Sequence, residues 1–357
     1  MHPVNAGCIK KYLEKIKMTG FFGFIKSITK VLSAIICILP VILTMPFGDL
    51  PNTPVIPNES ATNTYINEYL DPDISAHRSG AGIAPQNTKM AFETVLHNPE
   101  TFGVDTFEFD VQITKDGELI IMHDLTYDAT SNAVEYFGHK NVYASSLTLE
   151  EAKVLNMGEN FEINGEYPYR GLRGDEIPDN LRIATCEEII DMIEANDNGK
   201  KYNYIIEIKS RNEDGYRAAD KLRDLIIEKD IIDRTIWASS KQEVANYMKS
   251  TYPDMPRSAD TLEVIEFYFY ARMNWDLNEA DVSYIALQIP HRTNALSNLA
   301  NIGTRKVINY AHKYNIAVQY WTVNDYEDAE YLINNGADCI MSDYPDMVLE
   351  AVKNTNK

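Results

Sequence analysis

From residue 71 onward, short strand-like runs alternate with helical ones, and that alternation leaves few architectures open. Strand character falls on residues 74–78, 105–111, 203–209, 235–239, 256–260, 284–289, 317–323 and 338–342. Helical periodicity falls between them, at 87–97, 186–195, 214–229, 241–250, 261–272, 303–314 and 325–335. Parallel strands cannot be joined by tight turns, so each pair needs a helix-sized crossover. Eight such units over about 270 residues predict an α/β fold of the (β/α)8, or TIM, barrel type. Residues 112–180 are too long for a plain crossover and read as a small insertion after strand 2.

In such a barrel, side chains near the C-terminal ends of the strands meet at one mouth. The unusual polar residues of this chain lie there. Glu108 and Asp110 alternate with Phe107, Phe109 and Val111, so both carboxylates share one face. Glu207 and Lys209 alternate in the same way with Ile206 and Ile208, and His77 and Arg78 end the first strand. Thr114-Lys115-Asp116-Gly117 reads as a hairpin turn. Folding about its middle sets Ile121 opposite Asp110 and His123 opposite Glu108. Two carboxylates on one face repel unless protonated or shared by a cation. A hard divalent ion with oxygen ligands resolves that conflict. A structural salt bridge explains one inward pair, not acids and bases converging from three strands.

The net charge is −20 and the sequence pI about 4.8. Nucleic-acid binding needs a basic footprint and is excluded for such a body. A phosphate-bearing ligand is not, because a metal and a few cations invert the field locally. Lys10, Lys11, Lys15, Lys17, Lys26 and Lys30 precede the apolar run 31–47, VLSAIICILPVILTMPF. We expect residues 1–30 to be a basic cytoplasmic segment and 31–47 a transmembrane anchor or a cleaved signal sequence. Residues 48–70, rich in Pro, Asn and Thr, read as a linker to a domain spanning 71–357. That arrangement makes the domain extracytoplasmic, membrane-anchored or secreted. Cys186 and Cys339 either pair or stay as buried thiols, and no zinc spacing is present.

Taken together, HRSGAGIAPQNT, FEFDVQITKDGELIIMHD, IIEIK, WTVND and GADCIMSDYP resemble the glycerophosphodiester phosphodiesterase family over residues 73–350. The resemblance implies a barrel with an insertion after its second strand. It implies metal-dependent hydrolysis of glycerophosphodiesters to sn-glycerol 3-phosphate and an alcohol, with Ca2+ or Mg2+ as cofactor. By position it makes Glu108, Asp110 and Glu207 metal ligands and His77 and His123 the acid/base pair. Arg78 and Lys209 become phosphate-contacting cations, and Trp321 a wall of the substrate pocket. A cyclic phosphate formed by a neighbouring glycerol hydroxyl is the implied route.

Two positions depart from the family pattern. Ser79 stands for the glycine after His-Arg, and Gln86 for the glutamate of PENT. A related enzyme acting on a lipid or an exported glycerol-phosphate polymer is the first alternative. A silent barrel that only binds is the second. His97, His139, His291 and His312 read as surface or satisfied core, and Asp343 as a helix cap or turn. Tyr167, Tyr169 and Arg170 read as a solvated loop.

Overall fold

A computed structural model describes residues 62–273, 275–277, 282–292 and 302–356. The expected basic segment, the apolar run 31–47 and most of the linker lie outside these residues. Among the described residues no helix is long and apolar enough to cross a membrane.

Among the described residues, seven strands run parallel: β1 (Asp73–Ala76), β2 (Thr106–Ile113), β4 (Asn203–Ile208), β5 (Thr235–Ala238), β6 (Ala286–Pro290), β7 (Ala317–Trp321) and β8 (Cys339–Ser342). The short β3 (Leu119–Ile121) pairs antiparallel with β2. The parallel order is β5-β4-β2-β1-β8-β7-β6. Residues 257 and 258 lie between the two outer strands. Arg257 bridges to Trp237 of β5 and Ser258 to Ala286 of β6, both in parallel sense. The predicted strand at 256–260 is thus shortened to a bridging segment, and it nearly closes the ring. Following the registers once round accumulates a stagger of about eight residues, the value of a TIM-type barrel.

Among the described residues, eight helices of two turns or more accompany the strands: α1 (Lys89–Leu96), α2 (Cys186–Glu194), α3 (Asn212–Glu228), α4 (Gln242–Thr251), α5 (Thr261–Met273), α6 (Arg305–Lys313), α7 (Tyr326–Asn335) and α8 (Pro345–Thr355). The sequence expectation contained seven of them and missed α8, which starts at Pro345 and packs on β1, β8 and α7. Two expected starts are as read. Thr185 and Glu188 form a reciprocal capping box on α2, and Asp325 caps α7 through the Asp328 N–H.

β2 shows how one strand serves two layers. Its outward residues Phe107, Phe109 and Val111 join the core under the helices with Phe92, Tyr204 and Trp237. Its inward residues Thr106, Glu108, Asp110 and Gln112 face the barrel axis. All eight residues are buried, as expected for a strand covered on both faces. The insertion carries its own small core, with Ile120, Met122, Tyr127, Leu155 and Ile183.

Residues 62–70, expected as linker, instead close the N-terminal end of the barrel. Asn63 Nδ2 donates to the carbonyls of Ile285 and Asn315, and Asn67 Nδ2 to that of Asp338. Tyr65 fills the floor against Ile205, Ile236, Ala286, Ala317 and Cys339. Cys186 and Cys339 are free and buried. Burial pushes both thiols well above their ordinary range.

The Tyr65 ring fills space, whereas its buried hydroxyl has no partner. Tyr65→Ala should therefore cost about 3 kcal/mol, while Tyr65→Phe should be neutral or slightly stabilising. Urea denaturation of the two variants checks this pair of expectations.

Candidate active site

The first site element is a bend. β1 stops at Ala76, and His77–Ser79 form a tight turn with Arg78 at φ 49° and Ser79 at φ 61°. In a continued strand Arg78 would point outward, away from His77. The left-handed turn instead aims the Arg78 backbone N–H at Glu108 Oε2, 2.7 Å away, and brings its guanidinium to Asp110. The side chain is held by Gln86, whose Oε1 accepts from Arg78 Nη1 at 2.6 Å. Gln86 thus does orient Arg78, without the charge a glutamate would bring. Arg78 Nη2 has no partner among the described residues.

β2 and β4 supply the acids. Their register sets Asp110 beside Glu207. Lys209 Nζ lies 3.1 Å from Asp110 Oδ1 and 2.8 Å from Glu207 Oε2. Arg78 Nε is 3.7 Å from Asp110 Oδ2, and Asn87 Nδ2 donates to that oxygen at 2.9 Å. Burial drives the Glu108 carboxyl up to about 7, helped by the neighbouring charge of Asp110. Burial pushes Asp110 the same way, but Lys209, His123, Arg78 and the Asn87 amide overcome it and hold Asp110 below its ordinary value.

Each histidine is held by a carboxylate at Nδ1. His77 Nδ1 is 2.7 Å from Asp343 Oδ1, and its Nε2 is 4.0 Å from Glu108. Burial opposes its protonation, yet Glu108 and Asp343 outweigh burial and raise the His77 pKa. Asp343 is itself anchored by Asn324 Nδ2 at 2.6 Å. It is more than the cap or turn expected from sequence. Its place one step past β8, beside His77 one step past β1, was the available signal. His123 Nδ1 is 2.7 Å from Asp124 Oδ1, and Gln112 Nε2 pins this loop through the carbonyls of both residues.

The hairpin register differs from the expectation by one residue. Ile121 pairs with Val111, and Met122 N–H donates to the carbonyl of Asp110. The cause lies in the turn. Thr114 N–H donates to the Glu118 carbonyl, and Gly117 at φ 89° lengthens the loop beyond a symmetric fold-back. His123 therefore does not sit opposite Glu108 as a strand residue. It lies past the end of β3, in the loop that Gln112 holds, where it still helps lower Asp110.

Glu108, Asp110, Glu207, Lys209, Arg78, His77 and His123 thus gather at one end of the barrel. Trp321 stands at the same end, at the close of β7, and is 38% exposed. Among the described residues no cluster of three His, Cys, Asp or Glu closes around one point. The Lys209 ammonium lies between Asp110 and Glu207. The donor set nevertheless suits a hard cation. It is all oxygen, two of its carboxylates oppose each other, and the buried Asn87 Oδ1 beside Asp110 has no partner. Of the remaining histidines among the described residues, His97 and His139 are exposed; His291 is buried near Asp328, and His312 is half-buried against Asp338.

The sequence profile described as the glycerophosphoryl diester phosphodiesterase family matches residues 77–347, and the chain belongs to that family. A glycerophosphodiester phosphodiesterase of Bacillus subtilis is 26% identical over 76% of this chain and 83% of its own length. One from Caldanaerobacter subterraneus is 27% identical over 78% and 97%. An Oleispira antarctica phosphodiesterase, solved with its product sn-glycerol 3-phosphate, has the same fold with a TM-score of 0.56 at 20% identity, covering 79% of this chain and 97% of that one.

Two expectations follow from the geometry. The folded-state pKa of Glu108, about 7, lies above its ordinary value of 4.5. Its neutral form therefore adds stability that is complete at low pH and is lost as pH rises through about 7. In metal-free protein, the stability advantage of the parent over Glu108→Gln should shrink between pH 5 and 8, as followed by thermal unfolding. Ser79 is left-handed, and its buried hydroxyl has no partner. Ser79→Gly should raise stability by roughly 0.5–1 kcal/mol, read from the urea midpoint.

Proposed function

We propose that this chain hydrolyses glycerophosphodiesters to sn-glycerol 3-phosphate and an alcohol. The observation that carries the reading is the meeting of two carboxylate-held histidines with Arg78, Lys209 and three acids at one barrel mouth. Family membership and the named relatives support the same reaction. Glu108, Asp110 and Glu207 would hold a divalent metal, Ca2+ or Mg2+. When bound, that ion neutralises phosphate charge and acidifies a hydroxyl.

Arg78 and Lys209 bring positive charge to the non-bridging oxygens, where charge grows in the transition state. Nδ1 of each histidine is occupied by its carboxylate, so Nε2 is the atom left to move a proton. One histidine takes the proton of the attacking hydroxyl; the other returns one to the leaving oxygen. Asp343 and Asp124 fix the two rings, and Asp343 stabilises the protonated form of His77. Trp321 forms a wall of the substrate pocket.

The basic residues 1–30 and the apolar run 31–47 support attachment to a membrane or export, with the barrel extracytoplasmic. Protease added to intact cells should then release an active barrel. Protection of the whole chain until lysis would reverse the orientation.

Glycerophosphocholine and glycerophosphoethanolamine should be cleaved, EDTA should abolish turnover, and Ca2+ or Mg2+ should restore it. Turnover in excess EDTA with negligible metal content overturns the metal assignment. His123→Ala should lower kcat by about 10²- to 10⁴-fold with metal affinity nearly unchanged. Glu207→Gln should weaken metal binding and regain part of its rate at high metal concentration. A substrate releasing p-nitrophenolate needs little protonation. The histidine whose loss it tolerates is the general acid.

A further inference from the structure

The rim beyond β4 and β5 carries cations that the site described so far does not use. Glu207 of β4 stands in register with Ala238 of β5, so Lys209 and Arg211 leave the mouth alongside Ser239, Ser240 and Lys241. The backbone is extended at Arg211 (φ −121°, ψ 159°) and at Lys241 (φ −91°, ψ 109°). Alternate side chains of an extended chain share a face. Glu207, Lys209 and Arg211 therefore follow one another along the face that lines the mouth. Arg211 and Lys241 also stand directly before α3 and α4, and the first turns of these helices touch. A Cβ added to Gly215 of α3 would come within 2.4 Å of Val244 Cγ2 of α4. That close approach sets the two cations side by side.

Both cations are short of partners, in a chain with 53 acidic and only 33 basic residues. Arg211 is exposed and makes no hydrogen bond or ion pair among the described residues. Lys241 Nζ donates to the Ser240 hydroxyl at 3.3 Å and pairs with no acid among the described residues. The acids nearby do not cancel them. Glu207 is taken by Lys209 and by the Ser240 N–H, and Asp214 by Arg217. Glu213 and Glu243 form no ion pair among the described residues. Burial lowers the Lys241 pKa, and Arg211 and Lys209 lower it further; Glu207 and Glu243 oppose them with less weight. Lys241 thus sits in a field that its cationic neighbours dominate. Two residues of extended chain advance roughly 6–7 Å. Arg211 therefore lies beyond Lys209 by about the length of a short alcohol between two anionic groups.

We propose that Arg211 and Lys241 form a second anion subsite, which binds a phosphate or carboxylate carried by the leaving alcohol. This rests on the phosphodiesterase reading and narrows it to diesters with an anionic leaving alcohol. The other product, sn-glycerol 3-phosphate, brings no second anionic group, so the extra charge belongs to the alcohol. Diesters of cationic alcohols are then the poorer substrates.

The test uses the full chain, loaded with metal, and four substrates. Glycerophosphocholine releases a cationic alcohol and glycerophosphoglycerol a neutral one. The third substrate releases glycerol phosphate, and the fourth releases glycerate. One exposed ion pair is worth about threefold, and two together about tenfold. At low salt the parent should favour at least one anionic alcohol over glycerol by about tenfold in kcat/KM, with choline last. Arg211→Gln and Lys241→Gln should each cut that preference about threefold, chiefly through KM, and the double variant should abolish it. Arg211→Lys should keep most of it. Raising the salt from roughly 0.05 to 0.5 M should erase the preference in the parent and leave the double variant unmoved. A merely structural role for either residue gives no such salt response. Preference for phosphate alone, or for both anions, supports the subsite and states which group it takes. No preference in the parent, or equal preference in the parent and all variants, overturns it. If the parent cleaves no phosphodiester, the enzymatic reading fails on its own. Calorimetric titration with glycerol 1,3-bisphosphate and with sn-glycerol 3-phosphate then judges the subsite. Equal affinity of the parent for the two ligands overturns it.

Discussion

The fold at its mouth depends on a repulsion. Glu108 and Asp110 are buried two residues apart on the inner face of one strand, where water cannot screen them. The surrounding residues divide the cost. Lys209, Arg78 and Asn87 all turn to Asp110 and keep it charged, while Glu108 receives only the Arg78 backbone N–H and the distant edge of His77. One carboxylate is thereby fixed as an anion, and the other is left responsive to what arrives. A site in which every acid already had its own cation would have nothing to offer a metal or a phosphate.

Much of this was legible in the chain. Strand alternation sorts side chains with a period of two, so Glu108, Asp110, Glu207 and Lys209 could be assigned to the axis from sequence alone. What failed was everything set by turns. The hairpin register slipped by one because Gly117 and the Thr114–Glu118 pairing add a residue to the loop. Arg78 looked like a strand residue, but it owes its position to a left-handed turn that a bulky side chain rarely adopts. Asp343 and Asn324 are 19 residues apart, and each looks like ordinary loop chemistry until β8 is set beside β1. Residues 62–70 read as linker because their composition is polar. Their asparagines in fact satisfy carbonyls at the barrel floor, where a polar side chain is what the backbone needs.

The barrel interior also shows where packing yields to chemistry. The outer core, under the helices, is apolar throughout and chiefly aromatic and branched aliphatic. The inner core is apolar only toward its base, where Tyr65 and its neighbours seal it. Above that seal lie serine, glutamine and carboxylate. Stability is thus concentrated in the outer shell and the base, so that the upper interior can remain polar.

The base has one more consequence. Asn356 Nδ2 donates to the carbonyl of Leu70, so the strap that leads into β1 and the end of α8 touch each other at the sealed pole. Chain entry and chain exit share a face, and the chemistry occupies the opposite one. The barrel is wired like a socket, with both leads behind and the contacts in front. A short bridge joining the two leads would free the chain to be reopened at a surface loop without crossing the site.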